Sequence, residues 1–162
     1  MVALAGIMSG AMAAGRSYLP WLLAFRAFAT PVAFGVSAIL DDPQGRILLV
    51  RQRFASGWHF PGGGVERGEP PTEAIVRELE EEVGLQTHGT PVLHGLYTRT
   101  VGIATNVVAL YRVPDATISF SPNREILEIM WADPLMPPAA ASPATLRRFA
   151  ELTNKAPPSP YW

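Results

Sequence analysis

The sequence predicts a single domain of the α+β class. Three observations lead there: strand-length apolar runs bounded by turn residues, two well-separated stretches with apolar residues at helical spacing, and short links between them. At 162 residues the chain is the size of one domain and buries enough surface to fold without disulfides or a structural metal. Hydrophobic residues make up 48% and charged residues 17%, which excludes a disordered or highly charged scaffold. The reading divides the chain into an N-terminal extension at 1–30, the domain at 31–154 and a flexible tail at 155–162, where Pro157–Pro160 fray.

The elements follow in chain order. Residues 1–15 carry no charge, and Arg16 follows the apolar stretch instead of preceding it, so a signal peptide is not expected; Met8 or Met12 as the true first residue stays open. Arg16, Pro20 and Arg26 break the apolar runs well short of the ~20 residues a bilayer requires, so no membrane span is expected. Tyr18–Phe28 is amphipathic and aromatic, suited to lie on the domain or in the groove of a homodimer. Val32–Leu40 reads as a strand, Asp41-Asp42-Pro43-Gln44-Gly45 as a turn and Arg46–Gln52 as the returning strand of a hairpin. After Trp58-His59-Phe60-Pro61 come three glycines, Gly62–Gly64, and an irregular loop to Pro71. From Thr72 to Val83 the residues Ile75, Val76, Leu79 and Val83 recur at three and four, the period of an amphipathic helix. Pro70 and Pro71 suit its start, and Gly84 sits where a C-terminal cap belongs. Val92–Thr100, Asn106–Val113 and Ile126–Ala132 read as strands, and Pro143–Leu152 as a closing helix.

Charge and cysteine usage narrow the function. Thirteen basic against fourteen acidic residues leave no excess for duplex nucleic acid, whose binding neutralises many phosphates. A small-molecule ligand fits better, in a cytoplasmic setting. Zero cysteines exclude a thiol nucleophile and sulfur-ligated metals, so any metal binds oxygen or imidazole. Glu78, Glu81 and Glu82 are spaced i, i+3, i+4 and leave one face of the predicted helix side by side. Like charges at this spacing repel, and a divalent cation with hard oxygen ligands, Mg²⁺ or Mn²⁺, would compensate them; on its own, such a glutamate run also fits a solvated helix face.

The surroundings decide between these readings. Gly63, Glu69, Arg77, Glu78, Leu79, Glu81, Glu82, Gly84 and Leu85 stand at every fixed position of the pattern G-(five)-E-(seven)-R-E-L-x-E-E-x-G-L. Chance produces such a match roughly once in 10⁹–10¹⁰ trials at average residue usage. Here the sequence resembles the Nudix hydrolase family, through a box covering Gly63–Leu85 and a likeness that extends over most of 31–152.

The resemblance implies an α/β/α sandwich with a mixed central sheet, and a metal-dependent hydrolase cleaving the pyrophosphate of a nucleoside diphosphate derivative: a nucleoside triphosphate, a nucleotide sugar or an ADP-ribose type. It implies that Glu78, Glu81 and Glu82 hold the metal with the Gly62 carbonyl, that Arg77 and Glu69 orient the cluster, and that Gly63 and Gly84 serve its shape. Outside the box, the family's further acid corresponds to Glu125, with Glu128 as the competitor; alternation along Ile126–Ala132 turns Glu128 to solvent and favours Glu125. Which glutamate is the base is open. Arg51, Arg53 and Arg99 are candidates to meet phosphates, and Trp58, with Phe54 and Tyr97, to stack on a base, although aromatic residues also dominate small cores. The alternative function is a non-catalytic nucleotide sensor on the same fold.

Overall fold

The computed structural model describes residues 20–25, 27, 29 and 31–162. Residues 20–25 are helical, and Trp21, Leu22, Leu23 and Phe25 are all exposed. The readings made of residues 1–19 lie outside the described residues. Among the described residues no helix is long and apolar enough to cross a membrane.

Eight strands and two helices follow from Val32 onward: β1 (Val32–Ile39), β2 (Ile47–Gln52), β3 (Trp58–His59), α1 (Pro71–Val83), β4 (Leu85–Thr87), β5 (Val92–Val101), β6 (Ala104–Arg112), β7 (Thr117–Ile118), β8 (Ile126–Ala132) and α2 (Pro143–Leu152). β1, β6 and β5 form one sheet in that order, with β1 parallel to β6 and β6 antiparallel to β5. β3, β2 and β8 form a second, antiparallel sheet, and β4 pairs with β7.

The alternation along β1 and β2 builds the layers. Val36, Ala38, Leu40, Leu48 and Val50 enter a core with Ala74, Ile75, Leu79 and Val83 of α1, whereas Ile39, Ile47 and Leu49 enter a second core with Phe149 of α2. The sheets therefore lie between the two helices, as the sandwich expectation has it. The apolar stripe of α1 faces the first core because its members repeat at three and four. Its end is set by Gly84, whose left-handed backbone (φ 66°) lets its N–H reach the Glu80 carbonyl at 3.2 Å.

Two expectations are corrected. β1 and β2 are not a hairpin: the turn exists, with Asp42 N–H bonded to the Arg46 carbonyl at 2.9 Å, but the strands then part into different sheets. Val36–Ile39 and Ile47–Val50 are buried on two faces, and such continuous apolar runs do not encode which edge pairs with which. The tail at 155–162 is not frayed. Thr98 N–H donates to the Pro160 carbonyl and Trp162 N–H to the Thr98 carbonyl, each at 2.9 Å, so the segment is laid along β5.

Candidate active site

The site forms where the glycine loop passes between β1 and the acidic face of α1. Ala38 N–H donates to the Pro61 carbonyl and Val36 N–H to the Gly63 carbonyl, both at 2.9 Å, which pins the loop along the edge of β1 that β6 leaves free. Between these two bonds the Gly62 carbonyl accepts none from the described residues. Only glycine fits here: Gly62 has φ 137°, and a Cβ would lie 2.2 Å from the Val36 carbonyl oxygen. At Gly63 a Cβ would lie 2.4–2.6 Å from the Glu78 carboxylate, so the missing side chain is the space that carboxylate occupies.

The acidic groups differ sharply in their surroundings. Arg77 donates to Glu69 twice, at 2.8 and 2.9 Å, to Glu78 at 2.9 Å and to the Gly64 carbonyl at 3.0 Å. These bonds hold the Glu69 carboxyl down at about 2, and the two carboxylates push the Arg77 guanidinium pKa up. Glu78 is nonetheless raised, because its desolvation outweighs the hydrogen bond from Arg77. Glu82 is only 3% exposed and has no basic partner. It accepts from Gly62 N–H at 2.7 Å and from the Gln52 amide at 3.4 Å, and burial, with the charges of Glu78 and Glu125, pushes its carboxyl up to about 7. Glu81 is exposed and reaches toward Arg77 at 3.6 Å.

Glu125 joins the cluster from another element. The Asn123 amide donates to the Glu81 and Glu82 carbonyls at 3.2 and 3.1 Å, while its oxygen accepts from Glu125 N–H at 3.0 Å and Ile126 N–H at 2.8 Å. One side chain thus fastens the Glu125 loop to the end of α1, and Glu81, Glu82, Asn123 and Glu125 line a common cleft. The sequence reasoning missed Asn123; an asparagine in a Ser-Pro-Asn turn carries no signal of the helix end it will clamp. Glu128 is paired across the strands with Arg51.

Among the described residues no three acidic or imidazole groups already converge as a complete metal cage. Glu78 is engaged by Arg77, and Glu81 is turned outward. The donor set nevertheless fits a hard divalent cation: oxygen only, three carboxylates within each other's field, and a nearby carbonyl without a donor.

A cleft of about 410 Å³ opens beside the loop, lined by Phe34, Gly35, Ser37, Gly62–Gly64, Arg99, Asn106 and Trp162 among others. Arg99 thus lines this cleft, and the other substrate candidates lie outside its lining. Trp58 is buried in the second core, where its backbone joins β2 and the start of α2, so it is a packing residue. Arg53 spends its guanidinium on the Arg124 carbonyl at 3.0 Å, holding the Glu125 loop, and Arg51 is tied to Glu128. Phe54 is exposed and Tyr97 is buried. Ser37, Asn106 and Trp162 line the cleft without having been singled out, since strand and tail residues give no local sign of facing a cavity.

Comparison with known proteins agrees with this picture. Residues 31–152 match the sequence model of the NUDIX domain. The solution structure of the E. coli ORF135 protein is 30% identical, with a TM-score of 0.61 over 81% of this chain and 97% of that one. The crystal structure of a MutT NUDIX hydrolase from Burkholderia pseudomallei shares the fold, with a TM-score of 0.66 and 23% identity over 75% of this chain and 98% of that one. Among curated relatives, an RNA pyrophosphohydrolase of Hahella chejuensis is 42% identical over 60 residues, 37% of each chain. One of Halorhodospira halophila is 47% identical over 58 residues, 36% of this chain and 32% of that one. The match spans about a third of the length of these curated relatives.

Proposed function

The chain belongs to the NUDIX domain family, and we propose that it is a metal-dependent pyrophosphohydrolase, acting in the cytoplasm on the phosphoric anhydride of a nucleoside diphosphate derivative. The observation that carries this reading is Glu82: a buried carboxylate with no basic partner, in the field of Glu78 and Glu125, beside a glycine-lined cleft. Burying such a charge without compensation is costly, and a bound cation is the partner it lacks.

Glu78, Glu81, Glu82 and Glu125, with the Gly62 carbonyl, are the residues that would hold Mg²⁺ or Mn²⁺. When bound, the cation neutralises phosphate charge and lowers the pKa of water. Arg77 and Glu69 fix the Glu78 carboxylate, and Asn123 and Arg53 fix the Glu125 loop. Arg99 meets the substrate from the cleft. Water attacks phosphorus, the anhydride P–O bond breaks with its electron pair leaving on the departing phosphate oxygen, and a carboxylate of the cluster, Glu82 or Glu125, takes the proton of the water.

A free nucleotide, such as a nucleoside triphosphate, a nucleotide sugar or ADP-ribose, suits a 410 Å³ cleft in a chain of net charge −1. A pyrophosphate linkage carried by RNA is the second reading, favoured by the names of the curated relatives. The test is release of phosphate or pyrophosphate from a panel of these substrates with Mg²⁺ or Mn²⁺. We expect metal-dependent turnover of one class, reduced at least about 100-fold in Glu82→Gln. Unchanged turnover in that variant contradicts the assignment; nucleotide binding without turnover in the wild type favours the sensor module.

A further inference from the structure

We propose that Trp162 is the platform on which the base of the nucleotide stacks, and that a buried Arg148–Glu151 pair holds the Ser159–Trp162 segment in place for it. This rests on the reading of the cleft as a nucleotide site.

A stretch carrying Pro157, Pro158 and Pro160 has few N–H groups with which to dock. Every one it has from Ser159 onward is used: Ser159 N–H donates to the Glu151 carboxylate at 2.9 Å, Tyr161 N–H to the Ser159 hydroxyl at 3.2 Å and Trp162 N–H to the Thr98 carbonyl at 2.9 Å. Thr98 returns a bond to the Pro160 carbonyl, so the segment extends the sheet at β5, its outer strand. Trp162 is thereby set against Tyr97, 5.6 Å between ring centroids, and Phe60, 6.4 Å, while it also lines both the cleft and the small polar cavity next to it.

Arg148 accounts for the fixing. Its side chain is fully buried, yet Nε and Nη1 have no hydrogen-bond partner. Its guanidinium lies 3.8 Å from the Tyr97 centroid and 5.6 Å from that of Trp162, and Nη2 donates to Glu151 at 2.6 Å. A buried, incompletely bonded arginine is a poor way to gain stability, and an apolar side chain would fill the same space. What the arginine adds is orientation. It stacks against the ring that supports Trp162 and fixes the same Glu151 oxygen that receives Ser159 N–H. An aromatic face held this way at the cleft accepts any base, because every base offers a π-face. Arg148 is thus a positioning residue.

The test measures binding of the α,β-methylene analogues of GTP and ATP, and separately of inorganic tripolyphosphate, to the full chain with Mg²⁺ by calorimetry. We expect Trp162→Ala to weaken the nucleotide analogues about tenfold and to leave tripolyphosphate unchanged, with Trp162→Phe recovering most of the loss. Arg148→Met should follow Trp162→Ala in direction while its circular dichroism stays native; should it fail to fold, the Trp162 pair decides alone. Equal weakening of nucleotide and tripolyphosphate, or no change in either, overturns the proposal. A wild type that binds tripolyphosphate but neither nucleotide overturns the base platform alone, whereas one that binds none of the three overturns the reading of the cleft and this inference with it.

Discussion

The acidic face of α1 treats the same charge in two opposite ways. Around Arg77, the carboxylates of Glu69 and Glu78 share one guanidinium, and Glu69 is held far on the ionised side. One turn further on, Glu82 is almost fully buried with an amide, a backbone N–H and two carboxylates for company, and its carboxyl sits near 7. The difference teaches where a cation has something to do. The Arg77 corner has its counter-charge within the protein and braces Glu78; the Glu82 corner has none, and on the proposed reading a cation supplies it.

Stability against pH gives the largest effect with which to break this contrast. Because folding raises the Glu82 carboxyl from 4.5 to about 7, the folded protein keeps a proton that the unfolded chain has released. The associated stability is fully present below pH 4.5, declines as the pH rises and is gone above 7, a loss of about 3 kcal/mol in the absence of metal. The raised Glu78 acts with the same sign, whereas the lowered Glu69 adds stability that is fully present above about pH 4.5 and is lost only as the pH falls towards 2, so it adds no slope between pH 5 and 8. Urea unfolding in EDTA at pH 5 and pH 8 measures the slope, and Glu82→Gln should flatten most of it; a wild type equally stable at both pH values refutes the contrast.

Arg77→Met attacks the other corner. It strips Glu69 and Glu78 of their shared donor and should cost about 1–3 kcal/mol by denaturant unfolding, with turnover falling further than the stability loss explains. A smaller effect, on activity alone, is expected for Gly63→Ala. Its backbone lies outside the left-handed region, so the fold tolerates the change, but the new methyl displaces the Glu78 carboxylate. We expect about a tenfold loss of turnover with the unfolding midpoint nearly unchanged. Smallest of all is the Arg51–Glu128 pair, whose side chains are 44% and 46% exposed. Glu128→Gln should cost less than about 1 kcal/mol and leave turnover intact, in contrast to Glu125→Gln; equal loss in both variants would erase the distinction between them.

Much of this was legible in the sequence where local pattern and chemistry coincide. The repeat of Ile75, Val76, Leu79 and Val83 gives α1 to within one residue of Pro71–Val83, and the limits of β8 and α2 are those read from their composition. The glutamate spacing puts Glu78, Glu81 and Glu82 on one face; Glu78 and Glu82 do reach the glycine loop, whereas Glu81 stays exposed, which spacing alone does not show. What was not legible depends on long-range partners. β1 pairs in parallel with β6, about seventy residues away, and nothing in Val32–Ile39 names that partner. Trp58 and Trp162 are chemically alike, yet one is core and the other lines the cleft, because tertiary contacts alone decide which ring meets solvent. Asn123 gains its place only when its turn meets the end of α1.

The most direct test of the central claim is thermal unfolding of the wild type and Glu82→Gln at pH 8, with Mn²⁺ or Mg²⁺ titrated into metal-free protein. If Glu82 lacks a cation partner, the metal raises the wild-type midpoint in a saturable way and moves Glu82→Gln little, while without metal the variant is the more stable of the two. Equal metal-induced shifts in both proteins, or none in the wild type, would contradict the account.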